Sequence, residues 1–375
     1  MKSNILLLPK VAGFILQKHV GHPRMLPSNI TVSVTNRCNS RCKTCFIWDF
    51  SRERPGWKQR ELELSEFARV FQSLGRSVVW MTLSGGEPFL RKDLPQICEA
   101  VQAYCDPKVI NIPTNCLLPS IVRDTSRKIM ELCEGTDFVI NLSLDGVGEA
   151  HDEIRGVPGN FKKFLEAYSY LSDLKKEFPN LSVGVHSVVS KFSLKGLMGV
   201  YEFVKTLGPD SYITEIAERR TELFNTDKEI TPSPGDYARF INSLSKRVRE
   251  DYLKKKTRLL SKVTQAFRLA YYQIATQNVA YKRQTIPCYA GITSCQITPY
   301  GDVWPCCILG YKMVMGNLRQ ANYDFKKVWY SSDAQKIRKF IGDKKCACPL
   351  ANAHYTNILC NPAALTKVGY NLITS

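Results

Sequence analysis

Three cysteines fall within eight residues: Cys38, Cys42 and Cys45, spaced C-x3-C-x2-C. Thiolates this close on one loop can share a metal centre. Zinc would use them with a distant fourth ligand. A four-iron, four-sulfur cluster normally takes four cysteines, so three would leave one iron open to chemistry. The alternating run Thr31-Val32-Ser33-Val34-Thr35 precedes the loop. Alternation of this length predicts a strand, which places the cysteines at its C-terminal end.

Two further stretches carry polar groups at predicted strand ends. Ser84-Gly85-Gly86-Glu87-Pro88 closes the run that begins at Val78. Its paired glycines permit backbone geometries closed to other residues and let a ligand approach the main chain. Glu87 adds an acceptor for an ammonium group. Asn141-Leu142-Ser143-Leu144-Asp145-Gly146 closes another run. Alternation sends Asn141, Ser143 and Asp145 to one face. A polar row on a buried strand must be hydrogen-bonded or face a ligand.

The elements that must position these groups alternate. Apolar runs at 29–35, 78–83, 108–113, 138–144, 182–189 and 211–217 predict strands. Helical stripes lie between them, such as Phe67, Val70, Phe71 and Leu74, stopping at Gly75. Another is expected after Asn160 as its N-cap. Six β–α units of this kind predict an α/β fold with a parallel sheet, a partial (β/α)6 TIM-like barrel whose site lies at the C-terminal strand ends. The expected segments are an apolar N-terminus (1–28), the barrel (29–225), a basic helical linker (226–285) and a cysteine-rich extension (286–375). In the extension, Gln296 to Trp304 reads as a hairpin turning at Tyr300-Gly301-Asp302, and short helices are expected near 323–330 and 333–342.

The chain has 375 residues, fourteen cysteines and a net charge of +18. That charge points to an anionic partner. Between residues 246 and 283, eleven basic side chains face only Glu250 and Asp251, which reads as a solvated helix face or a docking surface. A disulfide scaffold needs a short, exported chain. Clustered cysteines in a long chain are expected to be reduced metal ligands, so a cytoplasmic location is expected. The stretch from Ile5 to Leu16 is too short to span a bilayer. It reads as a helix packed over one end of the main domain, or as an interfacial helix with Lys2, Lys10, Lys18 and Arg24 toward lipid headgroups at the membrane surface.

Taken together, the cysteine loop, Phe46 after it, the Gly-Gly-Glu-Pro turn and the Ser-Leu-Asp-Gly strand end resemble the radical S-adenosylmethionine (SAM) enzymes. His151-Asp152-Glu153-Ile154-Arg155-Gly156 resembles the subgroup with a C-terminal SPASM or Twitch extension. So do Cys288-x12-Gly301-x4-Cys306, Met315-Gly316-Asn317-Leu318 and Val328-Trp329. The resemblance implies that Cys38, Cys42 and Cys45 hold a [4Fe–4S] cluster whose open iron binds SAM. Reductive cleavage then yields a 5′-deoxyadenosyl radical that abstracts hydrogen from substrate, with electrons from a donor such as flavodoxin or ferredoxin. Gly85, Gly86 and Glu87 would meet the methionine amino group, Ser143 and Asp145 the ribose or carboxylate, and main chain near Phe46 the adenine.

The tail departs from the full SPASM pattern: Cys346-x-Cys348 is followed by no cysteine until Cys360. One auxiliary iron–sulfur cluster is therefore expected, on Cys288, Cys306, Cys346 and Cys348, with Cys295, Cys307 and Cys360 as competing ligands. The resemblance favours a peptide or protein substrate for oxidation or bond formation. A lipid or phosphorylated small molecule is the alternative. In another class stands a zinc-containing nucleic-acid-binding protein, which leaves the glycine turn and the polar strand end unexplained.

Several polar residues have bland readings. Cys98, Cys105, Cys116 and Cys133 are expected as buried small hydrophobes. A loop-anchoring hydrogen bond is expected of His151, and support of a neighbouring ligand of His354. His186, Arg155, Glu215, Glu218, Arg219 and Arg220 are placed to reach the barrel mouth.

Overall fold

The structure is a computed structural model that describes residues 7–49, 60–253 and 259–373. Ile5, Leu6, Lys2, Lys254, Lys255, Lys256 and Arg258 lie outside them. The chain forms two compact units, and neither is one continuous stretch. Residues 26–231 and 295–335 make one; residues 1–25, 232–294 and 336–375 make the other. The tail read from the sequence as one segment is thus divided between both.

In chain order, helix α1 (Leu7–Val20) precedes strand β1 (Asn29–Thr35). Then come α2 (Leu64–Leu74), β2 (Trp80–Gly85), α3 (Leu94–Cys105), β3 (Val109–Thr114), α4 (Pro119–Leu132) and β4 (Asp137–Ser143). Helices α5 (Glu149–Arg155) and α6 (Asn160–Glu177) lead to β5 (Leu181–Val189), α7 (Leu197–Leu207) and β6 (Ser211–Ile216). Helices α8 (Pro234–Val248) and α9 (Leu259–Tyr281) follow, then β7 (Ser294–Ile297), β8 (Asp302–Trp304) and β9 (Gly316–Asn317). Helices α10 (Phe325–Trp329), α11 (Ser332–Gly342), α12 (Ala351–Leu359) and α13 (Pro362–Ile373) complete the chain.

All nine strands form one sheet, ordered β6-β5-β4-β3-β2-β1-β7-β8-β9. Strands β1 to β6 pair in parallel, each beside its predecessor, which is the winding of a barrel. The order has two ends, so the barrel is open. Strands β7, β8 and β9 form an antiparallel meander that extends the sheet beyond β1. Helices cover the parallel strands through apolar stripes. On α2, Phe67, Val70, Phe71 and Leu74 are all at most 1% exposed, which stabilises by about 1.5–3 kcal/mol per side chain. Glu63 and Glu66 close a capping box at its start, and Gly75 ends it at φ +59°. Cys98, Cys105, Cys116 and Cys133 are fully buried among these elements.

Three expectations shift. Helix α6 begins at Asn160 itself, with Gly159 as its cap at φ +76°. The Asn160 side chain is buried and bonds elsewhere, as described below. Arg268 is not on a solvated face: it is 3% exposed and lies beside Gln265 on the packed side of α9. Lys18 does not turn outward toward headgroups, because its ammonium donates to the Cys288 carbonyl at 2.7 Å. The helix that carries it packs Phe14 against Tyr289, Ile292 and Cys360 within the second unit.

Candidate active site

The cysteine loop leaves β1 and is fastened at both flanks. On one side, the Arg41 and Lys43 amides donate to the carbonyls of Arg155 and Ile154, at 3.1 and 2.9 Å. These are orphan carbonyls at the end of α5, so the loop satisfies a helix terminus while the terminus holds the loop. Gly156 makes the approach possible: a Cβ there would stand 2.2 Å from the Arg41 carbonyl oxygen, at φ +69°. On the other side, Asn225 is fully buried and donates to the Thr44 carbonyl at 2.8 Å and to that of Glu218 at 3.2 Å. Its Oδ1 accepts from the Arg220 amide at 2.6 Å.

Inside the loop, Ser40 Oγ lies 3.1 Å from Cys42 Sγ. Asn115 reaches Asn39 at 2.7 Å and Cys38 Sγ at 3.8 Å. Burial pushes the Cys38 thiol up to about 11, and burial together with Cys42 raises that of Cys45 further. Thiols in this position become thiolates only when a cation compensates them.

The end of β2 runs against this loop. The Gly86 amide donates to the Thr35 carbonyl at 2.7 Å and the Glu87 amide to that of Arg37 at 2.8 Å. A Cβ at Gly85 or Gly86 would fall 2.1 Å from those same oxygens, and Gly85 sits at φ +122°. The glycines therefore bring two backbones together, a need separate from any ligand. Glu87 is 3% exposed, and its carboxylate accepts from the Asn115 amide at 2.7 Å and the Phe89 amide at 3.3 Å. Burial pushes its pKa up to about 7, against the pull of those donors.

Strand β4 ends in Ser143, and beyond it Asp145 turns away from the cavity. The Asp145 carboxylate is 3.0 Å from Arg155 Nη1 and accepts from the Val188 amide at 2.7 Å. It is 1% exposed and is not among the residues that line the cavity, where the sequence had placed it. Its partner Arg155 reaches the cavity instead. That guanidinium is 8% exposed, and its Nε has no hydrogen-bond partner among the described residues. Burial works against its charge, but the Cys42 thiol and the Asp145 carboxylate outweigh burial and raise its pKa. His151 Nδ1 accepts from the Asp145 amide at 3.1 Å, which places the ring proton on Nε2, 2.5 Å from Asn160 Oδ1. Asn160 in turn donates to the Asn115 carbonyl at 3.2 Å. His151 is thus an anchor. Burial lowers its pKa to about 4.

These groups open on one cavity at the C-terminal ends of all six parallel strands. Cys38, Cys42 and Cys45 line it with Ser84, Gly85, Gly86, Glu87, Asn115, Ser143 and Arg155. His186, Glu215, Glu218 and Arg220, from β5 and the end of β6, line the remaining wall. His186 Nε2, Glu218 Oε2 and Arg220 Nε lack hydrogen-bond partners among the described residues. Burial pushes Glu218 up to about 7, partly offset by Arg220, which lies 3.9 Å away. Arg219 is exposed and stands outside. Phe46 does not line the cavity either: its amide donates to the Leu223 carbonyl at 2.8 Å, and its ring lies under the Lys228 ammonium. Asn115 and Asn225 support the loop without belonging to any of the motifs read from the sequence. The strand-end rule that found Ser143 applies equally to Asn115, one residue past β3. Nothing in the sequence marks Asn225.

Comparison with known proteins agrees with this geometry. Residues 32–195 match the radical SAM superfamily, and residues 288–349 match SPASM, an iron–sulfur cluster-binding domain. The chain belongs to the radical SAM superfamily. It is 26% identical over 325 residues to the AdoMet-dependent heme synthase of Methanosarcina barkeri, covering 83% of this chain and 85% of that protein. It is 21% identical over 335 residues to AlbA of Bacillus subtilis, a subtilosin biosynthesis protein, covering 87% and 66%. Its fold is similar to that of Streptococcus suis SuiB bound to S-adenosylmethionine, with a TM-score of 0.60, 18% identity, and coverage of 87% and 70%. This radical SAM enzyme takes a [4Fe–4S] cluster and SAM as cofactors, and its SPASM domain is of the cluster-binding kind. The zinc-containing nucleic-acid-binding alternative falls with the family match. No described helix is long and apolar enough to cross a membrane.

The residues present fit those cofactors. Three thiols stand on one fastened loop, and a buried cation with an unpartnered donor lines the same cavity. The SPASM cysteines divide between the compact units. Cys295, Cys306 and Cys307 belong with the barrel; Cys288, Cys346, Cys348 and Cys360 belong to the other unit. In that second unit the Cys346 thiol accepts from Gln284 at 3.7 Å. Asn278 donates to the Cys348 carbonyl at 2.9 Å and meets His354 Nε2 at 2.9 Å. His354 is therefore no ligand, since its Nδ1 bonds the Leu350 carbonyl at 2.8 Å.

Proposed function

We propose that Cys38, Cys42 and Cys45 hold the SAM-binding cluster and that the cavity beside them is where SAM meets substrate. When bound, the reduced cluster and SAM supply a 5′-deoxyadenosyl radical that abstracts a hydrogen atom from the substrate. The chain supplies position and exclusion of water. The main chain at Gly85 and Gly86 would meet the methionine amino group, with Glu87 beside it on the cavity wall. Arg155, aligned by Asp145, offers its fork to the methionine carboxylate, with Ser143 beside it. The observation that carries this reading is the cavity that gathers those cysteines, glycines, Ser143 and Arg155.

On the remaining wall, Arg220 Nε is a donor and Glu218 Oε2 an acceptor that lack hydrogen-bond partners among the described residues, while the two side chains form an ion pair at 3.9 Å. That pairing complements a peptide amide, so a peptide or protein is the favoured substrate. AlbA and the SuiB complex with precursor peptide SuiA support that class. The similarity to heme synthases across most of the chain favours a second reading, a tetrapyrrole substrate. A flavodoxin or ferredoxin would supply electrons, and the tail would hold one auxiliary cluster, with Cys288, Cys346 and Cys348 of one compact unit among its ligands.

The test is anaerobic reconstitution followed by dithionite and SAM. The parent is expected to release 5′-deoxyadenosine, and Cys38→Ala/Cys42→Ala/Cys45→Ala to release none above background. Equal release from both would overturn the reading. Iron remaining on the triple variant would measure the auxiliary site.

A further inference from the structure

The N-terminal helix brings a positive charge to the SPASM cysteines. Lys18 is half-buried, and its ammonium donates to the Cys288 carbonyl at 2.7 Å. It lies over the Tyr289 ring, 5.0 Å from the centroid. Cys288, Cys346 and Cys360 belong to the same compact unit, and Cys360 packs in the apolar cluster that seats this helix. Helix α1 does not need this lysine for attachment. Phe14, 3% exposed, already seats it against Tyr289, Ile292 and Cys360, with Val11, Ile15 and Met25 around it. A half-buried ammonium carries a desolvation cost that one carbonyl and one ring face offset only in part. Burial lowers its pKa; Cys288, Cys346 and Cys360 oppose that shift and the like charge of Lys344 adds to it.

We propose that Lys18 is a positioned cation of the auxiliary iron–sulfur cluster, and that it raises the reduction potential of that cluster. The inference rests on the reading of the tail as a cluster site. A cluster held by thiolates is anionic, and reduction adds one electron and so one more negative charge. A fixed positive charge nearby therefore favours the reduced state, just as net charge and hydrogen bonding set the potentials of such clusters generally. Lys18 does this from a helix some 270 residues away in sequence from the cysteine it touches. No SPASM spacing would reveal it.

The test uses the Cys38→Ala/Cys42→Ala/Cys45→Ala chain, reconstituted anaerobically so that only the tail binds iron. Its cluster is titrated with dithionite against redox mediators and followed by electron paramagnetic resonance. Lys18→Met is expected to move the midpoint to lower potential, and Lys18→Arg to hold it near the parent value. A midpoint unmoved by Lys18→Met would overturn the proposal, as would an equal shift in both variants. Should Lys18→Met fail to load iron while Lys18→Arg loads fully, the charge requirement stands. Failure of both would reduce Lys18 to a packing residue and end the proposal. Absence of iron from the triple variant itself would defeat the cluster reading of the tail, a result distinct from any shift in midpoint.

Discussion

Arg155 is useful to the site only because Asp145 holds it. The pair is buried at 3.0 Å, beside two cysteines that are themselves candidates for negative charge. Removing the carboxylate leaves a guanidinium inside the protein without its counter-ion. Asp145→Ala is expected to cost about 3–5 kcal/mol in urea unfolding and to weaken SAM binding. A variant with parental stability and SAM affinity would show that Arg155 stands without its partner. His151 gives a second prediction. Its pKa in the fold, about 4, lies below the unfolded 6.5, so the fold favours the neutral ring. Its contribution is present above pH 6.5 and is lost as pH falls toward 4. Between pH 7 and pH 5 the parent should lose about 2 kcal/mol that His151→Gln does not, measured by denaturant midpoints at both values. At this scale the sequence was legible where a residue type has few other uses. The glycine pair, Glu87 and Ser143 line the cavity as their strand ends predicted. Asp145 does not line it, because alternation names a face but does not say when a neighbour's donor has already claimed the side chain. Cys45 and Ile47, on either side of Phe46, do line it.

The cysteine loop owes its shape to two elements at once. The end of α5 holds Arg41 and Lys43, and the stretch after β6 holds Thr44 and Phe46. Asn225 is the knot of the second hold, joining Thr44 to Glu218 and Arg220 on the cavity wall. Asn225→Ala should leave the buried Thr44 carbonyl without its donor, costing about 1–3 kcal/mol. The expected readout is faster loss of the cluster's visible absorbance to a chelator, with the tail cysteines replaced by alanine so that one cluster is seen. Unchanged bleaching would argue that α5 alone fixes the loop. The six parallel strands were readable because their short alternating apolar runs recur between helical stripes. The holds on the loop were not, since a single asparagine 180 residues downstream leaves no local pattern.

At the scale of the whole molecule, α1 is part of the structure around the SPASM cysteines. Phe14→Ala is expected to cost about 3 kcal/mol and to lower the iron retained by the tail in the triple cysteine variant. Full iron retention would mean that α1 only rests on that unit. The sequence correctly offered a packed helix there, but composition could not say against what: apolar helix faces are interchangeable, and the partner lies in a different segment.

That division of the chain also sets a timetable. Helix α1 is made before the parallel strands, yet Tyr289, Ile292 and Cys360, the residues it packs against, are made after them. The parallel strands between them can pair as they appear, since domains generally fold as units while synthesis proceeds. For most of translation, then, Phe14 and its apolar neighbours have no native surface to cover. The helix that covers Tyr289, Ile292 and Cys360 in the finished enzyme is, in the nascent chain, an apolar face open to a chaperone.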